Sequence, residues 1–88
     1  MRTLTLKITA KDIAQGIRNN SWKCAAALAI RRHKGFEAAN ICGMSSSSNA
    51  VIDRDGKPGI PLPLDLYSYI DRFDDGKTVK PKTFKIKI

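Results

Sequence analysis

The two ends of the chain carry the same alternation of polar and apolar residues, and this pattern constrains the fold most. Residues 3–8 read Thr-Leu-Thr-Leu-Lys-Ile, and residues 84–88 read Phe-Lys-Ile-Lys-Ile. A period of two is typical of a strand with one buried face. If the two strands lie side by side, their apolar side chains cover the helices. Their polar side chains then share an open face, formed by Thr5, Lys7, Thr83, Lys85 and Lys87.

Two helices are predicted directly after the first strand. Thr9 and Asp12 have the spacing of a capping box for a short helix over residues 10–15, and we expect Gly16 to end it in a left-handed conformation. Ser21 is the predicted N-cap of a second helix over residues 22–33. Residues 24–30 are apolar all round, which favours a central, buried helix.

A hairpin and a third helix are predicted next. Strands over residues 36–43 and 50–53 flank a polar turn with four serines, and we expect Phe36, Ala38 and Cys42 to face inward. The run Asp-Arg-Asp-Gly at 53–56 indicates a tight turn, and prolines at 58, 61 and 63 favour an extended segment unsuited to a central strand.

The third helix is indicated by one apolar stripe at the spacing i, i+3, i+4 and i+7, made by Leu66, Tyr69, Ile70 and Phe73. Pro63 suits its first position and Gly76 its C-terminal cap.

This order of elements predicts a single α+β domain over residues 1–88. We expect a small antiparallel or mixed sheet with helices on one face. The predicted topology is β-α(α)-β-β-α-β, a split βαβ sandwich.

Charge is concentrated at both ends of the chain. The net charge is +8, with eight basic and one acidic side chain in residues 1–35 and five lysines without an acid in residues 77–88. Such an excess attracts nucleic acid or an acidic protein surface. Two cysteines, Cys24 and Cys42, are too few for a disulfide scaffold, so we expect buried thiols in the reducing cytoplasm and no membrane association.

Catalytic and metal chemistry find little support in the sequence. The single histidine, His33, lies among cationic neighbours, and on a continuous helix Cys24 would be too far away to reach it. Cys42 with His33 is the one conceivable dyad, and the acidic turn at 53–56 lacks the later ligands of a calcium loop. We expect no catalytic residue, no metal site and no cofactor.

Basic side chains are therefore the candidate contacts with a partner or with nucleic acid: Lys7, Arg31, Arg32, Lys34, Lys80, Lys82, Lys85 and Lys87. Two structural alternatives stay open. Cations stabilise a helix C-terminus, and lysines on a sheet discourage edge aggregation. The expected open face lacks aromatic residues, so the stacking platform of an RNA-recognition module is missing. Trp22 is expected in the core, with base stacking as its alternative.

A set of turn and core positions spans nearly the whole chain: Thr9-x-x-Asp12-Ile13-x-x-Gly16-x-Arg18, Cys24-Ala25-x-Ala27-Leu28-Ala29, and Leu62-Pro63…Tyr69-Ile70…Phe73-Asp74-x-Gly76…Val79-x-Pro81…Phe84-x-Ile86. This set resembles a family of small, functionally uncharacterised bacteriophage and prophage proteins. Family members often have proline where this chain has Ala25. The resemblance implies a phage origin and a host-cell cytoplasmic location, and it supplies no catalytic residue.

Two functions follow as hypotheses. The first is a non-enzymatic interaction protein that modulates or inhibits a host or defence complex that processes nucleic acid, as anti-CRISPR proteins do. The second is direct, weakly sequence-specific binding of DNA or RNA through the basic surface. An unpaired sheet edge also makes a homodimer conceivable.

Overall fold

Two antiparallel sheets and three helices form the architecture of the described part of the computed structural model, which covers residues 3–43, 50–54 and 56–87. The elements follow in the order β1 (Thr3–Ile8), α1 (Ala10–Gln15), α2 (Ala25–Ile30), β2 (Asn40–Cys42), β3 (Val51–Arg54), β4 (Lys57–Pro61), α3 (Leu64–Asp74) and β5 (Lys82–Lys87). The α+β class is therefore confirmed.

The first and last strands pair, as the split βαβ topology predicts. β1 and β5 are antiparallel, with Leu6 opposite Phe84 and Thr5 opposite Lys85. Leu6, Phe84 and Ile86 are buried, whereas the threonines and lysines between them are exposed. The two strands form a separate two-stranded ribbon.

The remaining strands form a second sheet in the order β2-β3-β4, where a split βαβ sandwich would have one sheet. The physical reason is the extra strand β4. It pairs with one edge of β3 while β2 pairs with the other, so β3 has no free edge for β1. Pro58 and Pro61 lie in β4, which is an edge strand, as proline requires.

The second helix is shorter than its apolar pattern predicts. The Asn20 side chain accepts the backbone N–H groups of Trp22 and Lys23, both at 2.9 Å, and holds them in a turn. Cys24 is therefore the N-cap instead of Ser21. Beyond Ile30 the chain continues in tight turns, which gives α2 six residues instead of the predicted twelve over 22–33.

Turns also replace the first half of the predicted strand over residues 36–43. Successive backbone hydrogen bonds join Phe36 to His33 and Ala39 to Phe36, so regular pairing begins only at Asn40. Phe36 is buried as expected, but Ala38 is exposed and Ala39 takes the inward position. The serine turn, Asp55 and Ile88 lie outside the described residues.

Candidate functional site

The outer face of the β1–β5 ribbon is the most regular basic surface among the described residues. Its exposed side chains are Thr3, Thr5, Lys7, Thr83, Lys85 and Lys87, and we call this surface the ribbon face. The opposite side of the same two strands is buried in the core. The ribbon face is thus fixed by the apolar side chains behind it, and the structure brings together the three lysines as expected if the two strands lie side by side.

The register spaces the three lysines evenly. Each lysine lies opposite a threonine, so no two ammonium groups are direct cross-strand neighbours. Lys7 and Lys85 are diagonal neighbours, and Lys85 and Lys87 are two residues apart on one strand, so each step is about 7 Å. Neither ion pair of the described residues includes a lysine of the ribbon face. These three charges are free to meet an external anion.

Lys80 and Lys82, which the sequence predicts as candidate contacts together with the three lysines of the ribbon face, lie apart from this face. Strand alternation turns Lys82 to the same side as Phe84, and its Nζ lies 5.2 Å from that ring. The Lys80 carbonyl accepts the Tyr69 hydroxyl at 2.6 Å. Both residues border a cleft of about 460 Å³ that also includes Arg72.

The basic cluster after α2 divides into different roles. Arg32 donates from Nη1 and Nη2 to the two carboxylate oxygens of Asp12 at 2.5 and 2.8 Å, and Nη2 also donates to the Lys7 carbonyl at 2.9 Å. Arg32 is therefore a structural brace between α1, α2 and β1. Arg31 donates to the Ala39 carbonyl at 3.2 Å, and Lys34 is exposed.

The Asp12 carboxylate is the buried half of this brace. Burial alone would raise its pKa, but hydrogen bonds from Arg32 and Thr9 outweigh that effect, and the pKa lies below its ordinary value. The same hydrogen bond raises the pKa of Arg32. The Thr9–Asp12 capping box is present in full, so the short aspartate does reach the N-cap.

Trp22 is not in the core, contrary to expectation. Its side chain is 49% exposed, and the Arg31 guanidinium lies over the indole at 5.9 Å from the ring centroid. The signal in the sequence is its position. Trp22 follows the turn formers Asn19, Asn20 and Ser21 and precedes the apolar run instead of lying inside it.

Both cysteines border one cleft of about 520 Å³ between the turn at Asn20, β2 and α3. Cys24 is buried, and its sulfur accepts the Ala27 N–H. Cys42 is half-buried and donates to the Asn40 side-chain oxygen at 2.6 Å. Burial raises the pKa of both thiols, and for Cys42 the charge of Asp53 raises it further. Both groups are therefore poor nucleophiles at neutral pH.

The hydrogen bonds of the described residues include none between His33 and either thiol. Cys24 is the N-cap of α2 and His33 lies beyond the end of α2, so the two residues do not lie on the one continuous helix that the sequence predicts. Within residues 3–43, 50–54 and 56–87, no three histidine, cysteine or acidic side chains cluster as metal ligands would.

Comparison with known proteins gives no match to a family model, to a curated protein or to a solved structure. Among the described residues no helix is long and apolar enough to cross a membrane.

Proposed function

We propose that this chain is a non-catalytic nucleic-acid-binding protein that contacts phosphates through the ribbon face. The observation that carries the proposal is the row of Lys7, Lys85 and Lys87, which are unpaired with any described carboxylate and lie on the antiparallel pair β1–β5. A step of about 7 Å is close to the through-space separation of adjacent phosphates on one strand, which exceeds the axial rise of about 3.4 Å because the strand winds around the axis, so neighbouring lysines suit successive phosphates. Threonines between the lysines add hydroxyl donors for phosphate oxygens.

The sign of the charge favours nucleic acid itself over the channel of an enzyme that processes it. Such channels are positively charged because they hold a phosphate backbone. A chain with a net charge of +8 is repelled by a channel of this kind and attracted by its contents. The phage resemblance suggests that the chain modulates a host or defence complex. We propose that such modulation would act through the nucleic acid that the complex holds.

The thiols and the ribbon support a binding role over catalysis. The raised pKa values of Cys24 and Cys42 leave both sulfurs protonated at neutral pH. The ribbon face carries no histidine, cysteine or carboxylate that would act as a base or nucleophile. Phosphate contacts without base contacts give weak sequence preference.

Charge reversal on the ribbon face tests the proposal. Anisotropy of labelled single-stranded DNA, duplex DNA and RNA is measured at low salt with wild type and with Lys85→Glu/Lys87→Glu. The matched control is Lys11→Glu/Lys57→Glu, which changes the net charge equally at exposed positions of α1 and β4. We expect the ribbon variant to lose binding at least tenfold, the control to lose far less, and the melting temperature to stay within a few degrees.

Equal losses in the two variants would show that total charge, and not the ribbon face, governs binding. No binding by wild type at low salt would refute the proposal. Affinity capture of a host complex by nuclease-treated wild type would then favour the first of the two sequence hypotheses.

A further inference from the structure

The exposed indole of Trp22 is a second feature of the surface that the ribbon face does not explain. Three large apolar side chains among the described residues are exposed, and Trp22 is the aromatic one; the others are Ile17 and Leu64. Single exposed aliphatic residues are normal on a protein surface. A half-exposed tryptophan is different, because its flat ring offers a large apolar area together with a π-face.

The turn that carries Trp22 is held in place from several sides. Asn20 binds the N–H groups of Trp22 and Lys23, and the Ile17 N–H donates to the Lys23 carbonyl at 2.7 Å. The Ser21 carbonyl accepts the Ile41 N–H at 2.9 Å, which ties the turn to β2. The indole is therefore presented from an anchored backbone, so little conformational entropy is lost when a ligand covers it.

Arg31 contacts one side of the indole ring of Trp22. Its guanidinium is fixed by the Ala39 carbonyl and lies over the indole, where cation–π attraction holds it. Although Arg31 lies over the indole, Trp22 is still 49% exposed, so about half of the residue's surface is open to a ligand. The guanidinium of Arg31 near the ring, together with the exposed Lys23 next to Trp22 in the chain, favours a partner that is anionic as well as aromatic.

Resting on the proposed function, we infer that Trp22 is a stacking platform for a base of single-stranded nucleic acid. A base in a duplex is stacked on both sides, whereas an unpaired base offers its π-face to an aromatic side chain. Arg31 contacts Trp22, and the next residue, Arg32, binds the carbonyl of Lys7 at the end of β1. The turn after α2 thus connects the platform to the ribbon face. Phosphates bind at the ribbon face and a base binds at Trp22.

The chain contains a single tryptophan, so its emission reports on this site alone. The probe is an oligothymidylate of about 12 nucleotides, within the range of site sizes for single-strand binding proteins. We compare it with an abasic oligomer of the same length and with the corresponding duplex. Stacking quenches indole emission, and anisotropy of a labelled oligomer measures total binding independently.

We expect oligothymidylate to quench Trp22 emission saturably. The midpoint concentration of this titration should equal the midpoint measured by anisotropy. The abasic oligomer and the duplex bind without comparable quenching. Trp22→Ala weakens binding of oligothymidylate by roughly five- to 150-fold, the range for loss of one stacked base. Trp22→Phe retains much of the affinity, because a smaller ring still stacks. Circular dichroism confirms that each variant is folded.

Other outcomes separate this inference from the proposed function. In one such outcome, oligothymidylate binds wild type and binds Lys85→Glu/Lys87→Glu more weakly, but it does not quench Trp22 emission, and Trp22→Ala binds it as tightly as wild type does. The stacking role is then wrong and the ribbon role stands. Equal quenching by the abasic oligomer would also overturn stacking. If no nucleic acid binds, both proposals fail. The exposed indole is then a candidate contact for a protein partner.

Discussion

The Asp12 carboxylate and the Arg32 guanidinium form a pair that joins α1, the turn after α2 and β1. The carboxylate caps α1 through the Thr9 N–H and receives both guanidinium donors of Arg32, which also reaches β1. Asp12→Asn removes the charge-assisted bonds at a buried position, and we expect a loss of roughly 1–3 kcal/mol in the free energy of unfolding. Asp71→Asn, exposed on α3, is the control and should change stability by less than about 0.5 kcal/mol. Urea unfolding measures both.

The same pair predicts a pH dependence. Because the pKa of Asp12 is lowered in the folded state, its contribution to stability is fully present above the unfolded pKa of about 3.9 and is lost as pH falls through the lower folded value. The difference in urea midpoint between wild type and Asp12→Asn should be constant from pH 7 to 5 and shrink below about pH 4. A gap that persists undiminished at pH 2.5 would contradict this assignment.

Gly16 is required for close packing and not for its dihedral angles. Its φ of −69° is accessible to any residue, so the predicted left-handed conformation is wrong. A Cβ there would lie 2.8 Å from the Ala25 nitrogen and 2.9 Å from the Phe73 ring. Gly16→Ala should therefore cost roughly 1–3 kcal/mol through overpacking, while Gln15→Ala at the exposed neighbour should not. Equal melting temperatures for the two variants would refute the steric explanation.

Local sequence rules succeed where the partners are close in sequence. Thr9 and Asp12 are three residues apart, and their capping box is predictable from spacing alone. Arg32, twenty residues from Asp12, is not predictable in the same way, because its role depends on how α1 and α2 pack. The prediction that Trp22 lies in the core is wrong because the Asn20 side chain accepts the Trp22 N–H and holds the backbone in a turn instead of a helix. Spacing alone does not show which of the two the segment adopts.

At the scale of elements, the ribbon divides into a buried face that stabilises the fold and an exposed face that carries the proposed phosphate contacts. Ile86→Ala removes a fully buried side chain and should cost roughly 2–5 kcal/mol, with binding of nucleic acid retained by the folded fraction. Lys85→Ala on the same strand should leave the urea midpoint nearly unchanged and weaken binding. Reversed effects would mean that the two faces are misassigned.

The bounds of α2 show what an apolar run does and does not specify. The run over residues 24–30 predicts the buried core of the helix correctly, since all of its residues except Leu28 are buried. It does not predict the ends, which the Asn20 turn and the tight turns after Ile30 decide. The bounds and the buried side of α3 are easier to predict from the sequence. Gly76, with a φ of 82°, follows the end of the helix, and one apolar stripe defines its inner side.

At the scale of the whole molecule, uncompensated positive charge opposes folding. The chain carries +8 within extents of 32 × 25 × 20 Å. At about 0.01 M salt the Debye length of roughly 30 Å spans the molecule, whereas at 0.15 M it is about 8 Å. We therefore expect the urea midpoint to rise between these salt concentrations as self-repulsion is screened. A falling midpoint would indicate that attractive pairs dominate instead.

The arrangement of sheets is the level that the sequence could not supply. Alternation predicts that β1 and β5 each have one buried face, whereas their pairing is predicted by the split βαβ topology and not by the periodicity. Nothing in periodicity predicts that β4 would take the second edge of β3, since a segment with two prolines reads as a connection. One short edge strand thus decides between one sheet and two.

If Lys7, Lys85 and Lys87 each bind a phosphate, as proposed, the affinity for nucleic acid must depend on salt in proportion to those contacts. For three contacts with a single strand, the slope of log K against log salt should be about −2, at roughly −0.7 per phosphate. Lys85→Ala/Lys87→Ala should reduce its magnitude by about 1.4, whereas Lys11→Ala/Lys57→Ala should leave it near the wild-type value. A slope that is the same in both double variants would contradict the account.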